Sequence, residues 1–180
     1  MKKIYKTNSN KVLARLAEED QRDRQDYSGR EWEVAKKDAE RRKKVALFLK
    51  RKLVNTGEDF FNAALIYQHG DKIEDFRLAQ KLAKKSIEEG NENGKWLYAA
   101  TTDRLLINKG MVQKFGTQYY MSIEQDEKPG RIQRVMRLSP YDKKTTDEIR
   151  AQYNVPPLKK LLSMEKAAKN QSIKKSGDKK

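Results

Sequence analysis

The chain has 180 residues, of which 36% are hydrophobic and 37% are charged, so we expect a compact core with long solvated surfaces. It contains no cysteine, which excludes disulfides, thiolate metal sites and a cysteine nucleophile. No segment approaches the roughly 20 apolar residues that cross a bilayer, and no apolar run follows the basic N-terminus. We therefore expect a cytoplasmic protein without a membrane partner.

The net charge of +15 is concentrated at the two ends of the chain. Residues 1–54 carry a net charge of +8 and residues 158–180 carry +6, whereas residues 55–110 carry −1 and residues 111–157 carry +2. A fold devoted entirely to nucleic acid more often carries basic residues throughout its body. The pattern indicates basic ends around a nearly neutral middle.

A first helix is predicted from its cap and its spacing of apolar residues. Ser9 or Asn10 can cap it, because either side chain can accept hydrogen bonds from the first helical amides. The helix is expected to run to about Asp26. One face of it changes from apolar to polar along its length, in the order Leu13, Leu16, Ala17, Asp20 and Arg24.

A long basic helix is predicted next. Ser28 and Glu31 have the spacing of a capping box, which predicts a helix from there to about Leu53. The apolar positions are sparse, so this helix should cover the core with a thin stripe and present a wide solvated face. Those positions are Trp32, Ala35, Ala39, Ala46 and Leu49.

Three further helices are predicted between residues 56 and 110. Thr56 begins the third helix of the chain, Asp75 caps the fourth, and the fifth begins at about Asn93 and runs to Lys109. A glycine that can adopt the left-handed conformation ends each helix, which predicts short helical hairpins. These glycines are Gly70, Gly90 and Gly110.

The pattern changes to strands after residue 110. Residues 117–124 and 131–138 alternate between apolar and polar side chains, with Tyr119, Met121 and Ile123 on one face, and the turn sequence 128–130 lies between them, which predicts a β-hairpin. An irregular loop is the alternative, because two strands alone are marginally stable. Short helices are expected over residues 145–153 and 158–168.

These elements predict a mainly α fold, a compact multi-helix domain of helical hairpins with a small β-hairpin near residues 117–138. We divide the chain into an N-terminal helical arm with the basic second helix (1–54), a helical core domain (55–168) and a lysine-rich tail (169–180). The tail is expected to be disordered, because its composition cannot form a packed core.

Several short motifs recur in order within residues 59–160. They are Gln68-His69-Gly70, Asp103-Arg104 and Phe115-Gly116-Thr117-Gln118. This order resembles an uncharacterised bacterial family of helical domains, whose motifs read Gln-His-Gly, Asp-Arg and Tyr-Gly-Thr-Gln. Phe115 replaces the tyrosine of that family. The resemblance implies a fold unit and no particular activity.

Residues 63–98 resemble, more weakly, one helix pair of the Sel1 or tetratricopeptide type. Small residues at close helix crossings and a glycine after each helix are the shared features. Stable solenoids need about three such units, so a closed helical domain is favoured over a solenoid.

One group of polar residues is a candidate site. His69 is the single histidine and lies at the end of the third helix, while Asp103 lies in an otherwise apolar stripe of the fifth. If adjacent helices are antiparallel, the ends of the third and fifth helices meet, so His69, Gln113 and Gln118 should line one pocket with Asp103 deeper inside it. The candidate ligand-binding residues are Asp20, Arg24, Gln68, Arg104, Gln113, Thr117 and Gln118.

His69 and Asp103 are also the candidate catalytic residues. An imidazole is a suitable general base near neutral pH, and Asp103 or Asp20 would orient it or bind a cation. Each residue also has a structural interpretation: His69 as a hydrogen-bonding group at a helix end, and Asp103 as the anchor of a loop amide or an arginine. One histidine and one aspartate are too few ligands to predict a metal site.

The basic run Arg41-Arg42-Lys43-Lys44 is a candidate nucleic-acid contact, because clustered cations bind phosphates without regard to sequence. A solvated helix face is the simpler interpretation, with Asp38 and Glu40 forming ion pairs one helical turn away. Aromatic residues for base stacking are nearly absent from the run.

Three functions remain open from the sequence. The first is a module that binds a small ligand or a protein partner through a polar pocket, which we favour. The second is a hydrolase or transferase that uses His69 and Asp103. The third is a basic protein that associates with nucleic acid through the second helix and the tail. The sequence contains no recognisable motif for a cofactor, which stays unknown.

Overall fold

A computed structural model describes residues 8–25, 30–125 and 132–165. It confirms the predicted mainly α fold with a small β-hairpin. The elements in chain order are α1 (Lys11–Asp23), α2 (Glu31–Lys50), α3 (Gly57–Tyr67), α4 (Ile73–Glu88), α5 (Gly94–Asn108), β1 (Tyr119–Gln125), β2 (Ile132–Leu138) and α6 (Asp147–Gln152). A further helix, α7, occupies residues 158–165, up to the end of the described residues.

Side-chain caps fix the starts of several helices. Asn10 accepts hydrogen bonds from the amides of Val12 and Leu13, both at 3.1 Å, and so caps α1 as predicted. Thr56 and Asp59 form a complete capping box at α3. Predicted cap Ser28 lies outside the described residues.

Asp75 is not the cap of α4, contrary to the prediction. The helix begins earlier, at Ile73, so Asp75 lies within its first turn. The carboxylate of Asp75 instead lies 3.6 Å from Nε of Arg42 on α2. The side chain that the sequence pattern assigned to capping therefore forms an ion pair with another helix.

Two of the three helix-ending glycines have the predicted left-handed conformation, with φ of +85° at Gly90 and +73° at Gly110. Gly70 does not have a positive φ, which corrects the prediction for that position. A Cβ atom at Gly70 would lie 2.2 Å from the Cβ of Asp75, so close packing against α4 requires glycine there.

The buried face of α2 differs from the predicted apolar stripe. Trp32 is 68% exposed, and Ala35 and Ala46 are exposed as well. The buried residues of the helix are instead Val34, Asp38, Arg41 and Val45. Two valines and two opposite charges therefore face the interior, because the charges pair with each other and with α1.

The helices enclose two apolar clusters. The larger contains fully buried residues from five helices, including Leu13 of α1, Val45 of α2, Ile66 of α3 and Leu97 of α5. α3 packs extensively on α4, and α4 on α5, as successive helical pairs. The predicted boundary near residue 54 stays a prediction, although α1 and α2 contribute to the same cluster as α3–α5.

The second cluster holds the hairpin and the C-terminal helices against α5. It contains Ala99, Phe115, Leu138, Val155 and Leu161. The strands pair antiparallel in the register Tyr119↔Leu138 to Gln125↔Ile132, and the predicted turn at 128–130 lies outside the described residues.

The outer face of the hairpin is apolar at two positions. Met121 is 60% exposed and Ile123 is 68% exposed. The sequence pattern places both on the same strand face as Tyr119. Tyr119 is less exposed, and its hydroxyl donates to the carbonyl of Leu161 at 3.0 Å. This bond ties the hairpin to α7.

The C-terminal helices are confirmed where the structure describes them. Thr146 caps α6, as expected for a helix over residues 145–153. The predicted end of the last helix at residue 168 and the tail at 169–180 lie outside the described residues. Within the described part of the chain, no helix is both long enough and apolar enough to span a membrane.

Candidate functional site

The candidate site is a cleft where the C-terminal ends of α1 and α3 meet the sides of α2 and α5. Its volume is about 560 Å³. The charged or titratable side chains that line it are Arg24, Asp38, Arg42, His69, Asp71 and Arg104. Four of these six are site residues predicted from the sequence: Arg24, His69 and Arg104 for the polar pocket, and Arg42 for nucleic acid.

His69 is held at the cleft by Asp20. The Nδ1 atom of His69 lies 3.1 Å from Oδ2 of Asp20, a residue that is completely buried, while the His69 side chain retains 14% exposure. Burial lowers the pKa of His69, and the repulsion from Arg24 and Arg104 adds to this effect, against the raising effect of the Asp20 carboxylate. The imidazole is therefore neutral at neutral pH.

A neutral imidazole has one N–H group and one acceptor nitrogen. We assign the N–H to Nδ1, because a carboxylate can only accept and Asp20 is its partner. Nε2 is then the acceptor, and no described side chain forms a hydrogen bond with it. The described residues therefore leave the nitrogen opposite Asp20 open to a ligand.

Arg24 links the end of α1 to α2. Its Nη1 donates to the Asp20 carbonyl at 2.9 Å and lies 3.1 Å from Oδ1 of Asp20, and its Nη2 donates to Oδ2 of Asp38 at 2.7 Å. Arg41 donates to Oδ1 of Asp38 at 3.0 Å and pairs with Asp23. The charges of α1 and α2 therefore neutralise one another in a buried network.

This network corrects the solvated interpretation of the basic helix at Asp38 and Arg41 only, because the lysines of the helix are exposed. Asp38 and Arg41 are each only 6% exposed, so neither belongs to an outer charged face. Although burial raises the pKa of Asp23, hydrogen bonds from Arg41 and Lys37 outweigh it and lower that pKa. Of the candidate nucleic-acid contacts, Lys43 and Lys44 are exposed, while Arg41 is buried.

Arg42 fixes the geometry of the chain around His69. Its Nη1 donates to the carbonyl of His69 at 3.0 Å, and it forms longer ion pairs with Asp71 at 3.5 Å and Asp75 at 3.6 Å. The side chain retains 12% exposure and lines the cleft. α2 is thereby tied to the end of α3 and to the first turn of α4.

Arg104 differs from the other arginines of the cleft in having neutral partners. Its Nη1 donates to the carbonyl of Gln68 at 2.8 Å, and its Nη2 donates to Oε1 of Gln118 at 3.2 Å. Its Nε is buried without a hydrogen-bond partner. Burial, and then repulsion from Arg24, lower its pKa, and no carboxylate in the described chain pairs with it.

Asp103 serves the loop after α5 and does not line the cleft. Its carboxylate is completely buried and accepts four hydrogen bonds: from the amides of Lys114, Phe115 and Thr117 and from the hydroxyl of Thr117, at 2.7 to 2.9 Å. This is the structural interpretation that the sequence left open. Asp20, rather than Asp103, is the acid that orients His69.

Gln113 belongs to the same loop. Its side chain donates to the carbonyls of Gln118 and Ser139 at 3.0 and 2.8 Å and accepts from the Gln118 amide at 2.9 Å. The predicted pocket is thus divided into a cleft at His69 and a loop network at Asp103. Gln118 joins the two through its contact with Arg104.

Sequence reasoning did not identify Asp38 or Asp71 as residues of the cleft. Asp38 carried a usable signal, because Val34, Asp38, Arg41 and Val45 follow helical spacing with opposite charges at the two inner positions. Asp71 carried none, since it lies in a short loop and is placed by the packing of α3 against α4.

Arg150 is a further buried arginine that the sequence did not single out. It is 1% exposed, and it donates to the carbonyls of Phe115 and Thr145 at 3.0 and 2.7 Å. It holds α6 against the loop after α5 and lies apart from the cleft. In the described ranges, no group of three or more acidic or histidine side chains is placed to hold a metal ion.

Neither a family model, nor a curated protein, nor a solved structure matches this chain. Function must therefore be inferred from the chemistry of the cleft.

Proposed function

We propose that the protein is a small-ligand binding module and that the cleft at His69 and Arg104 binds an anion. The observation that carries this proposal is the state of Arg104, a largely buried guanidinium with two neutral partners and a buried Nε without a partner. A cation removed from water is costly unless an opposite charge compensates it. An anion in the cleft would supply that charge.

The surrounding geometry supports a preformed site. Arg24 and Arg42 line the same cleft and are held by ion pairs, so little side-chain entropy is lost when a ligand arrives. A cleft of about 560 Å³ falls within the usual range for small-molecule sites. Guanidinium groups suit carboxylate and phosphate oxygens because their planar N–H groups match those oxygens.

The other two functions receive less support. A hydrolase or transferase using His69 and Asp103 would need both side chains at one site, and the loop amides occupy the Asp103 carboxylate. A nucleic-acid role for the basic helix would depend on Lys43 and Lys44, because Arg41 faces the interior. A tetratricopeptide-like module for a protein partner rests on the sequence resemblance.

Isothermal titration with sodium phosphate and sodium sulfate, at constant ionic strength, tests anion binding. We expect saturable binding by the wild-type chain and a loss of at least about tenfold in affinity for Arg104→Gln, equivalent to about 1.4 kcal/mol. Arg77→Gln is the matched control, because Arg77 is an exposed arginine on α4.

Arg104→Lys, which keeps the charge, is expected to retain more affinity than Arg104→Gln. Circular dichroism would establish that each variant is folded. The proposal is wrong if the wild-type chain binds neither anion, or if the folded Arg104→Gln variant binds as well as the control.

We also propose a cytoplasmic location, which suits a chain without cysteine.

We further propose that the chain is a member of the bacterial helical family with the Gln-His-Gly and Asp-Arg motifs. Both motifs border the cleft, since Gln68 and Arg104 are hydrogen-bonded to each other.

A further inference from the structure

We propose that the anion is the phosphate group of a small phosphate monoester, recognised jointly by Arg104 and by Nε2 of His69. The inference rests on the proposed anion binding and specifies its ligand class. The cleft combines arginines with one imidazole, and that combination distinguishes anions with a titratable P–OH group, such as phosphate monoesters, from sulfate and phosphodiesters.

The charged groups around His69 come from each element packed against it. α1 contributes Asp20 and Arg24, α2 contributes Asp38 and Arg42, α5 contributes Arg104, and the loop after α3 contributes Asp71. In the empty cleft, Arg24 and Arg104 oppose protonation of the imidazole while Asp20 favours it. An anion placed against the arginines offsets their repulsion, so the imidazole can accept a proton when the ligand binds.

A phosphate monoester has the matching chemistry because its second pKa is about 6. At neutral pH it is present both as a monoanion with one P–OH group and as a dianion. The P–OH group can donate to the neutral Nε2 atom, and the dianion can accept from the imidazolium. In either case one proton lies between Nε2 and a phosphate oxygen, and the guanidinium of Arg104 meets the remaining charge.

Sulfate and phosphodiesters cannot make this pairing near neutral pH. Both ions present acceptor oxygens only, so a neutral Nε2 faces a lone pair, and a hydrogen bond to Nε2 requires that the imidazole first take a proton from solvent. The backbone of a nucleic acid is a diester and falls in this class. The volume of about 560 Å³ also fits a small molecule.

The test is isothermal titration at pH 7.5 and constant ionic strength with four probes: glycerol 3-phosphate, inorganic phosphate, sulfate and an oligothymidylate without a terminal phosphate. We expect the wild-type chain to bind glycerol 3-phosphate at least about tenfold more tightly than sulfate, since a hydrogen bond to a charged group is typically worth that factor or more. The oligothymidylate should bind no more tightly than sulfate.

His69→Asn is the informative variant, because its amide can still donate to Asp20 while the titratable Nε2 atom is lost. We expect its preference for the monoester over sulfate to fall below about threefold, because the hydrogen bond between Nε2 and the phosphate group is lost. His69→Gln serves if the first variant is unfolded, and Arg77→Gln is the control that should retain the wild-type preference.

The outcomes separate the two proposals. If the wild-type chain binds neither phosphate nor sulfate, anion binding itself is wrong. If it binds sulfate or the oligonucleotide as tightly as the monoester, or if the preference persists in His69→Asn, then anion binding stands and the role of His69 in selecting a monoester is wrong.

Discussion

At the scale of single residues, burial decides the charge of His69. Desolvation is the largest effect on its pKa, and together with the repulsion from Arg24 and Arg104 it outweighs the raising effect of the Asp20 carboxylate. The same burial leaves Arg104 charged without an acidic partner among the described residues. The proposed preference for a phosphate monoester comes from these two groups of the cleft, the neutral imidazole of His69 and the guanidinium of Arg104.

The lowered pKa of His69 predicts that the folded state loses stability in acid. An unfolded histidine titrates near pH 6.5, whereas folded His69 titrates below that value, so between the two pKa values the unfolded chain binds more protons. Stability therefore rises with pH through this window and falls as the pH drops below about 6.5. Urea unfolding at pH 7.5, 6.5 and 5.5 measures the effect.

The comparison is with His69→Asn, in which the titrating group is absent and all other groups remain. We expect the wild-type chain to lose more unfolding free energy than this variant between pH 7.5 and 5.5. Equal losses, or a wild-type stability that increases on acidification, would contradict a lowered pKa at His69.

At the scale of elements, the loop between α5 and β1 depends on one buried carboxylate. Asp103 accepts from three residues of that loop, including both the amide and the hydroxyl of Thr117. Gly116 within the loop has φ of +91°, which glycine adopts without strain. Asp103 and Gly116 together shape the segment that presents Gln118 to Arg104.

Asp103→Asn is therefore expected to destabilise the fold. The amide nitrogen of the asparagine would replace one carboxylate oxygen, and a nitrogen that donates cannot accept from the loop. About two loop donors would then lack an acceptor, at a cost of roughly 1–3 kcal/mol each. Thr117→Val, which removes one donor to Asp103 and one acceptor of the Gln118 side chain, should cost less, about 1–2 kcal/mol. Urea unfolding measures both costs. Equal costs for the two variants would show that Asp103 does not anchor the loop.

The helices illustrate what the sequence can predict. The caps at Asn10 and Thr56 and the glycine ends at Gly90 and Gly110 were predicted because each depends on a few adjacent residues. Gly70 was predicted for the wrong reason. Glycine is required there because Asp75 of α4 lies too close for a Cβ atom, and not because the backbone is left-handed. Contacts between distant residues are not encoded in such local patterns.

α2 gives the clearest failure of apolar periodicity. Its buried face contains Asp38 and Arg41, which a hydrophobic stripe cannot reveal, and its tryptophan is exposed. The same reasoning applies to the site. His69, Arg24 and Arg104 could be named from residue type and position, but the pairing of His69 with Asp20 depends on how α1 packs against α3.

At the scale of the whole molecule, the cleft exists only when α1, α2, α3 and α5 are packed together. The ion network of Arg24, Asp38 and Arg41 joins α1 to α2, and Arg42 joins α2 to α3 and α4. The large apolar cluster contains Leu13 and Val45 together with residues of the later helices. We therefore expect the predicted N-terminal arm to unfold with the core.

Leu13→Ala tests this expectation, because Leu13 is completely buried on α1. The substitution should cost about 2–5 kcal/mol, the range for removing a buried leucine side chain. Val12→Ala is the matched control, since Val12 is the neighbouring residue and is 59% exposed. Both variants would be unfolded in urea and followed by tryptophan fluorescence.

The two tryptophans allow the halves of the molecule to be observed separately. Trp32 lies on α2 and Trp96 on α5, and both are exposed, so Trp96→Phe or Trp32→Phe leaves a single reporter at small structural cost. In a cooperative fold, Leu13→Ala lowers the unfolding midpoint reported by Trp32 and by Trp96 equally. A shift at Trp32 with none at Trp96 would show an independent arm, and a cleft that can open without the core unfolding.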